Sequence, residues 1–433
     1  MKKIVILDAA DALHGSVALG DFFSLPIHLR GCRVTLVDDD AEALDRMVRY
    51  AICVDRSLGE LFEIEASTDR RAALRGADFV VQLPLSESRE SLELDWRVPL
   101  RHGVRHIAGR NGGPGALSRA MRIVPRLLVR ARDVEDVAPR ALFLNQAEPL
   151  ARTSVALARC TTLRFVGVPA QRQAGYRWLS RAFGWSSPGG GEPDERSGRN
   201  AVRRLRARAA GLHGLSFFMT LQDWRSGADM YPLLRARLAV ALPDFELMSR
   251  RLLDVFGLYC ASGDAVAGEY FGFAAETMSL HGPDFDAEAR WRDEAAALVH
   301  GVAVGELQPA YRFVRASKSR VFALIAALVN DIEQDEPALL LPNDGRIVNL
   351  PVRAVVETPA HVVAGVLHGE HIGALPDGLA SLLQREEVIH ELAVQAAVTG
   401  DRATALQALL LDSHVHSYAQ ATHLLDDICS MTF

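Results

Sequence analysis

Cysteine is scarce. Five residues (Cys32, Cys53, Cys160, Cys260 and Cys429) are scattered through 433 positions, odd in number and without a CxxC pair. That excludes a disulfide-stapled scaffold and a zinc ribbon and fits a reducing cytoplasm. Long apolar runs are missing as well: nothing approaches the roughly 20 residues that span a bilayer. Met1-Lys2-Lys3 is followed only by Ile4, Val5, Ile6 and Leu7 before Asp8, short of the about 7–15 residues of a secretory core. Cys429 stands fifth from the end, out of place for a prenyl group. Excess positive charge is absent too, with 48 basic against 54 acidic residues and a net charge of −6. A nucleic-acid ligand bound by phosphate neutralisation is therefore not expected. What remains is ordinary for a soluble globular chain, 49% hydrophobic and 24% charged, and long enough for two or three domains.

The first third alternates strand and helix signals. Ile4–Leu7, Val34–Val37, Phe62–Glu65, Phe79–Leu83, Ala141–Asn145 and Leu163–Val166 read as short buried strands, and Ala12–Phe23 as a helix. Apolar residues at Leu117, Met121, Val124, Leu128 and Ala131 give a long helix over Ala116–Val137. Continuous apolar strands separated by helices imply a doubly wound parallel sheet of Rossmann-like order. Residues 1–200 form this domain, and residues 201–433 a mixed α+β domain with helices over Arg320–Glu333 and Leu379–Thr399 and strands near Ile347 and Val355–Val363. Ser186–Gly198, with Pro188, three glycines and Pro193, reads as a mobile loop. The arginines that follow, Arg196, Arg199, Arg203, Arg204, Arg206 and Arg208, read as a solvated helix face, or as a surface for an anionic ligand or an acidic partner. Phe217, Phe218 and Met219 belong to the core or to an interface.

Several ordered blocks carry a family resemblance. Gly113-Pro114-Gly115 and the helix behind it, Asn343-Asp344-Gly345, Asn349-Leu350-Pro351, Val356-Glu357-Thr358-Pro359-Ala360, Leu375-Pro376, Glu391-Leu392, Gly400-Asp401-Arg402 and Ala408–Asp412 resemble glycoside hydrolase family 4 over nearly the whole chain. The resemblance implies a Rossmann domain followed by a domain related to the C-terminal domain of lactate and malate dehydrogenases, with the active site between them. It also implies a nicotinamide cofactor that oxidises the sugar's C3 hydroxyl, and a divalent metal such as manganese that assists proton loss at C2. Elimination of the aglycone, addition of water and return of the hydride would complete the cycle, outside the two-carboxylate scheme of most glycosidases. A homodimer or homotetramer and a small sugar or glycosylated metabolite are the implied partners.

The working parts depart from that pattern. The glycine-rich turn that should approach the pyrophosphate falls on Asp8, Ala9, Ala10 and Asp11. A carboxylate about 4 Å from a phosphate costs on the order of 4 kcal/mol at an effective dielectric near 20, or roughly three decades of affinity. Asp38 alone matches the ribose-binding acid. The expected Cys-His pair of metal ligands is Pro169-Ala170, and the expected Asn-His pair is His213-Gly214, leaving His213 as the one donor. The sugar-contacting Asn-Pro is Glu148-Pro149, with Asn145 three residues earlier, and the general acid is replaced by Arg110-Asn111. Asp264, Glu269 and Tyr270 retain the family's Gly-Asp and Glu-Tyr pattern, Asp264 standing near the proton-abstracting base and Tyr270 a second candidate.

Three readings follow. In the first, the fold is kept and redox-assisted cleavage abandoned, so that no cofactor or metal is expected and the protein is a non-catalytic, cytoplasmic carbohydrate-binding or regulatory homologue. In the second, Asp264, Glu148, Glu269 and Tyr270, with Asn145 and His213 beside the substrate, support chemistry that needs neither NAD nor metal. The third is a conventional NAD-dependent glycosidase.

Overall fold

The computed structural model describes residues 1–169, 174–185, 195–241, 245–309 and 319–432. Among the described residues there are eleven strands: β1 (Lys3–Leu7), β2 (Arg33–Val37), β3 (Glu63–Ser67), β4 (Phe79–Gln82), β5 (Leu142–Asn145), β6 (Phe165–Gly167), β7 (Leu205–Leu212), β8 (Leu215–Asp223), β9 (Gln334–Pro342), β10 (Val355–Val363) and β11 (Val366–Gly369). They form one sheet in the order β3-β2-β1-β4-β5-β6-β9-β10-β7-β8, with β11 on β10. The first six are parallel and doubly wound, as the apolar runs predict. At β6 the sense changes: Gly167 pairs with Leu340 antiparallel, and the sheet continues across residue 200 into the second half.

Local chemistry sets the element ends. Asp40 caps the helix Ala41–Leu58 by accepting from Glu42 and Ala43, and Gly59 closes it in the left-handed region. Helix Ala12–Phe23 lies so close to the first turn that a Cβ on Gly15 would sit 2.1 Å from the Ala9 carbonyl oxygen. Its Phe22 packs against Phe62 at 4.5 Å and Phe322 at 5.5 Å between ring centroids, joining the early and late parts of the chain in one core. Helix Gly113–Val137 covers the opposite face of the parallel sheet.

The asparagine-rich blocks are turn locks. Asn343 donates from Nδ2 to the carbonyls of Ile347, Leu350 and Pro351 at 3.0, 3.1 and 3.0 Å, while its Oδ1 accepts from Ile347 at 2.8 Å. Asn349 exchanges two hydrogen bonds with the Leu375 backbone. These side chains satisfy backbone groups that an irregular buried loop leaves unpaired.

Two expectations change. Residues 186–194 of the predicted loop lie outside the described residues, and 195–198 begin a helix, Glu195–Arg204, held by buried Ala201 against Tyr176 and Leu179. The arginine run is only partly helical: at Leu205 the chain enters β7, because Leu205 and Ala209 pack into one core cluster and Ala210 and Leu212 into another. Arg206 then lies 4.5 Å over the Trp224 ring, and Arg208 pairs with Glu370 at 2.6 Å. Phe217 and Phe218 are fully buried and Met219 is half-buried, so the pair belongs to the core. All five cysteines are free, and no described helix is long and apolar enough to cross a membrane.

Candidate functional site

A cavity of about 260 Å³ opens at the carboxyl ends of β1, β4, β5 and β6. This is where open α/β sheets place their ligands. The β7–β8 hairpin, β9 and β10 form the facing wall through Ala209, His213, Ser216, Phe218, Ala338 and Glu357.

The first turn reaches this space through its partners His14 and Arg292, which line it, and is closed on itself. Asp8, at φ +56°, accepts from Arg130 through Nε at 2.8 Å and Nη2 at 2.6 Å, and from Gln82 at 2.6 Å. Asp11 caps its helix by accepting the His14 amide at 2.8 Å and pairs with Arg292 at 2.8 Å. Burial works to raise the Asp11 pKa, but the His14 hydrogen bonds and charge and the Arg292 charge overcome it, and the net shift is strongly downward. The Ala9 amide donates to the Val37 carbonyl and the Ala10 amide to Asp38 at 3.0 Å. Asp38 also accepts from Asp40, and its pKa rises because burial and the neighbouring Asp8 and Asp39 outweigh those amides.

The opposite wall presents a histidine. Leu212 pairs with Leu215, so His213 and Gly214 are the two residues of a tight turn, with Gly214 at φ +80°, a region that glycine enters without strain. Glu357 lies beside it because β10 pairs with β7 at Gly211. His213 Nδ1 is 2.9 Å from Glu357 Oε2, and Ser216 donates to Glu357 Oε1 at 2.9 Å. Burial pulls the His213 pKa down, but the bond and charge of Glu357, with Glu148 and Glu269 nearby, carry it above the usual imidazole value.

Of the site candidates marked in the sequence, Glu148 and His213 share the cavity; Arg110, Asn111, Pro169 and Gly214, at the positions where the resemblance expects other groups, also line it, and Ala170 lies outside the described residues. The others are built into the scaffold. Asp264 accepts the amides of Met248 and Ser249 at 2.8 and 2.7 Å, holding the start of helix Leu247–Phe256. Glu269 accepts the amides of Arg110, Asn111 and Gly112 at 2.7, 2.6 and 3.2 Å, at the N-terminus of helix Gly113–Val137. Burial raises its pKa against the pull of those three amides. Tyr270 is buried and donates to the His213 carbonyl at 2.8 Å, so it positions the turn and does not face the cavity. Asn145 is fully buried, bonded to Thr153 at 3.0 Å and to the Ala147 amide at 3.0 Å. Each is consumed by backbone that would otherwise be unsatisfied.

The sequence reading missed Arg130, Arg292 and Glu357 as parts of this site. The two arginines stand 122 and 281 residues from their aspartates, and nothing local marks them. Glu357 sits within a quoted block, but only the β7–β10 register shows its partner. Arg110, at the position expected for an acid, pairs with Glu288 at 2.6 Å, and Arg119 pairs with Glu87 at 2.6 Å. Among the described residues there is no group of three or more His, Cys, Asp or Glu side chains placed to hold a metal ion.

Residues 3–182 match the model of family 4 glycosyl hydrolase, and residues 209–415 that of the family 4 glycosyl hydrolase C-terminal domain. An alpha-glucosidase of Erwinia rhapontici is 29% identical over 98% of this chain and 96% of its own. The 6-phospho-beta-glucosidase of Thermotoga maritima, solved with manganese, NAD+ and glucose-6-phosphate, is 18% identical and superposes with a TM-score of 0.79 over 100% of this chain and 98% of its own. A lactate dehydrogenase from a Medee basin deep-sea metagenome library, 12% identical, superposes with a TM-score of 0.51 over 92% and 99%. The two family models together account for most of the sequence, and the chain belongs to glycosyl hydrolase family 4.

Proposed function

We propose that this chain receives a small sugar or glycosylated metabolite in the cleft as a non-catalytic, carbohydrate-binding or regulatory homologue, without the nicotinamide and metal chemistry of its relatives. One observation carries the reading. The amides and cations around the first turn are already bound to protein: Ala10 to Asp38, His14 to Asp11, Arg130 to Asp8 and Arg292 to Asp11. A pyrophosphate arriving there meets two carboxylates and no free donor at these four groups, whereas a dinucleotide turn offers bare amides and a helix N-terminus. The residues present do not fit the cofactor.

They do not fit the metal either. Pro169 and Gly214 bring no donor atom to the cavity, and His213 spends Nδ1 on Glu357. Native mass spectrometry of the purified chain tests both points, with and without added NAD and manganese. The apo mass and an unchanged melting temperature are expected. Co-purification of a dinucleotide, or a stoichiometric manganese adduct, would sink the reading.

The buried His213–Glu357–Ser216 chain of hydrogen bonds favours a second reading, in which the cleft retains proton-transfer chemistry of its own. Turnover of any glycoside without NAD, lost in Glu357→Gln while the melting temperature holds, would establish it in place of the first.

A further inference from the structure

A second cavity lies at the other end of the sheet. It measures about 660 Å³ and opens at the amino ends of β4, β5 and β6, where Leu142 donates to the Asp78 carbonyl at 3.0 Å and Phe143 to the Arg164 carbonyl at 2.9 Å. Phe79, Leu163, Phe165 and Leu341 are among its apolar lining, each buried except for 7–8% of its surface. The β10–β11 turn adds Val366 and Leu367. That turn is fixed in place: a Cβ on Gly365 would meet Asp331 Oδ1 at 2.5 Å and the Leu328 carbonyl oxygen at 3.3 Å, so it is packed onto the end of helix Val321–Asn330.

The charged side chains that line it are three cations and one carboxylate, in a chain whose net charge is −6. Lys2 and Asp78 neutralise each other at 2.9 Å, and the second Asp78 oxygen accepts the Lys3 amide at 2.9 Å. Arg140 and Arg164 remain. They stand just ahead of the neighbouring strands β5 and β6, and among the described residues neither side chain has an ion pair or a hydrogen bond. One exposed arginine is ordinary. Two unpaired guanidinium forks beside apolar surface, in an acidic protein, complement an anion that also has an apolar part. An inorganic anion would leave the apolar lining in water, and a neutral hydrocarbon would leave both forks unused.

We propose that this cavity binds a small amphipathic anion, its carboxylate or phosphate head held by Arg140 and Arg164 and its hydrocarbon body laid on the apolar lining. The site is separate from the cleft and does not depend on what the cleft receives. Charge-assisted hydrogen bonds of this kind are worth about 10- to 100-fold in affinity.

Isothermal titration of the full chain tests it with octanoate and octyl phosphate, with octanol as the neutral control and acetate and inorganic phosphate as the heads alone. One alkyl anion is expected to bind at least about tenfold more tightly than octanol and than its own head, and the better of the two identifies the head group. Replacing both arginines, Arg140→Gln with Arg164→Gln, should cost at least about tenfold, and Val366→Glu should do the same by setting a like charge beside the ligand. All three positions are exposed, so the melting temperature should hold. Octanol or a bare head binding as tightly as the alkyl anion overturns the proposal, as does full affinity in both variants. A chain that takes no probe, and in which Val366→Glu changes only the sedimentation, uses this face as a contact between copies, and the assignment falls. Should neither variant fold, the wild-type ratio of alkyl anion to octanol decides.

Discussion

Replacing Arg130 by methionine removes one charge from the first turn and leaves Asp8 behind. In the native protein two Arg130 nitrogens lie 2.8 and 2.6 Å from the two Asp8 oxygens, and both side chains are about 13% exposed. Without the guanidinium, Asp8 keeps only the Gln82 amide as a donor and faces a region that also holds Asp38 and Asp39. Breaking a fully buried pair by deleting one partner costs about 3–5 kcal/mol; for a pair with this residual exposure about 2–3 kcal/mol is expected. The reciprocal change, Asp8→Gly, behaves differently. Asp8 sits at φ +56°, where glycine relieves roughly 1 kcal/mol of backbone strain, and the freed Arg130 can turn its head to water. Its net effect is expected within about 1 kcal/mol of zero. Urea unfolding midpoints of the two variants at pH 7, repeated in 0.5 M salt, measure the asymmetry. If Arg130→Met unfolds with the wild type, or Asp8→Gly loses as much as Arg130→Met, the turn is not held by this pair as described.

Two further outcomes follow from other parts of the molecule. Glu246 is nearly buried beside Asp264, and burial first, then the Asp264 charge, push its pKa up to about 9. A raised carboxyl contributes stability that is whole below about 4.5, the value in the unfolded chain, and fades as pH climbs toward 9. Glu246→Gln should therefore flatten the pH dependence between 5 and 9 and raise stability at pH 8 by about 2 kcal/mol, and an unchanged slope would count against it. Gly15→Ala would drive a methyl to 2.1 Å from the Ala9 oxygen, so helix Ala12–Phe23 has to shift. A loss of at least about 2 kcal/mol is expected in chemical denaturation, and a neutral result would mean that helix and turn are not in the close contact described.

The parallel half was legible because most of its strands are buried on both faces and read as apolar runs, as in Ile4–Leu7 and Phe79–Val81, whereas the edge strand β3 is half-buried to exposed. The β7–β8 hairpin was hidden, since arginines spaced through Glu195–Arg208 suit a helix face as well as an edge-facing strand, and only pairing with β10 decides. In the site, the substitutions at the first turn and at Glu148 were visible as departures from a resemblance. Their consequences were not. Arg130 and Arg292 reach the turn from distant helices, so the neutralisation of Asp8 and Asp11 is a tertiary fact. Asp264 and Glu269 mislead in the opposite direction: a carboxylate that holds helix-start amides and one that serves a substrate look alike in a string of letters.

Where β6 meets β9, Gly167 lies against Leu340 so tightly that even a methyl group would strike the Leu340 Cβ at 2.7 Å and the Ser154 hydroxyl at 2.8 Å. Beyond this seam, Pro169 on one bank and Pro337 and Ala338 on the other border the cleft. The two banks are thus laced together at their base. Parting them like jaws would break the Gly167–Leu340 pairing and open the packed contact behind it, so the seam favours sorting a guest by the standing contour and charge of the walls.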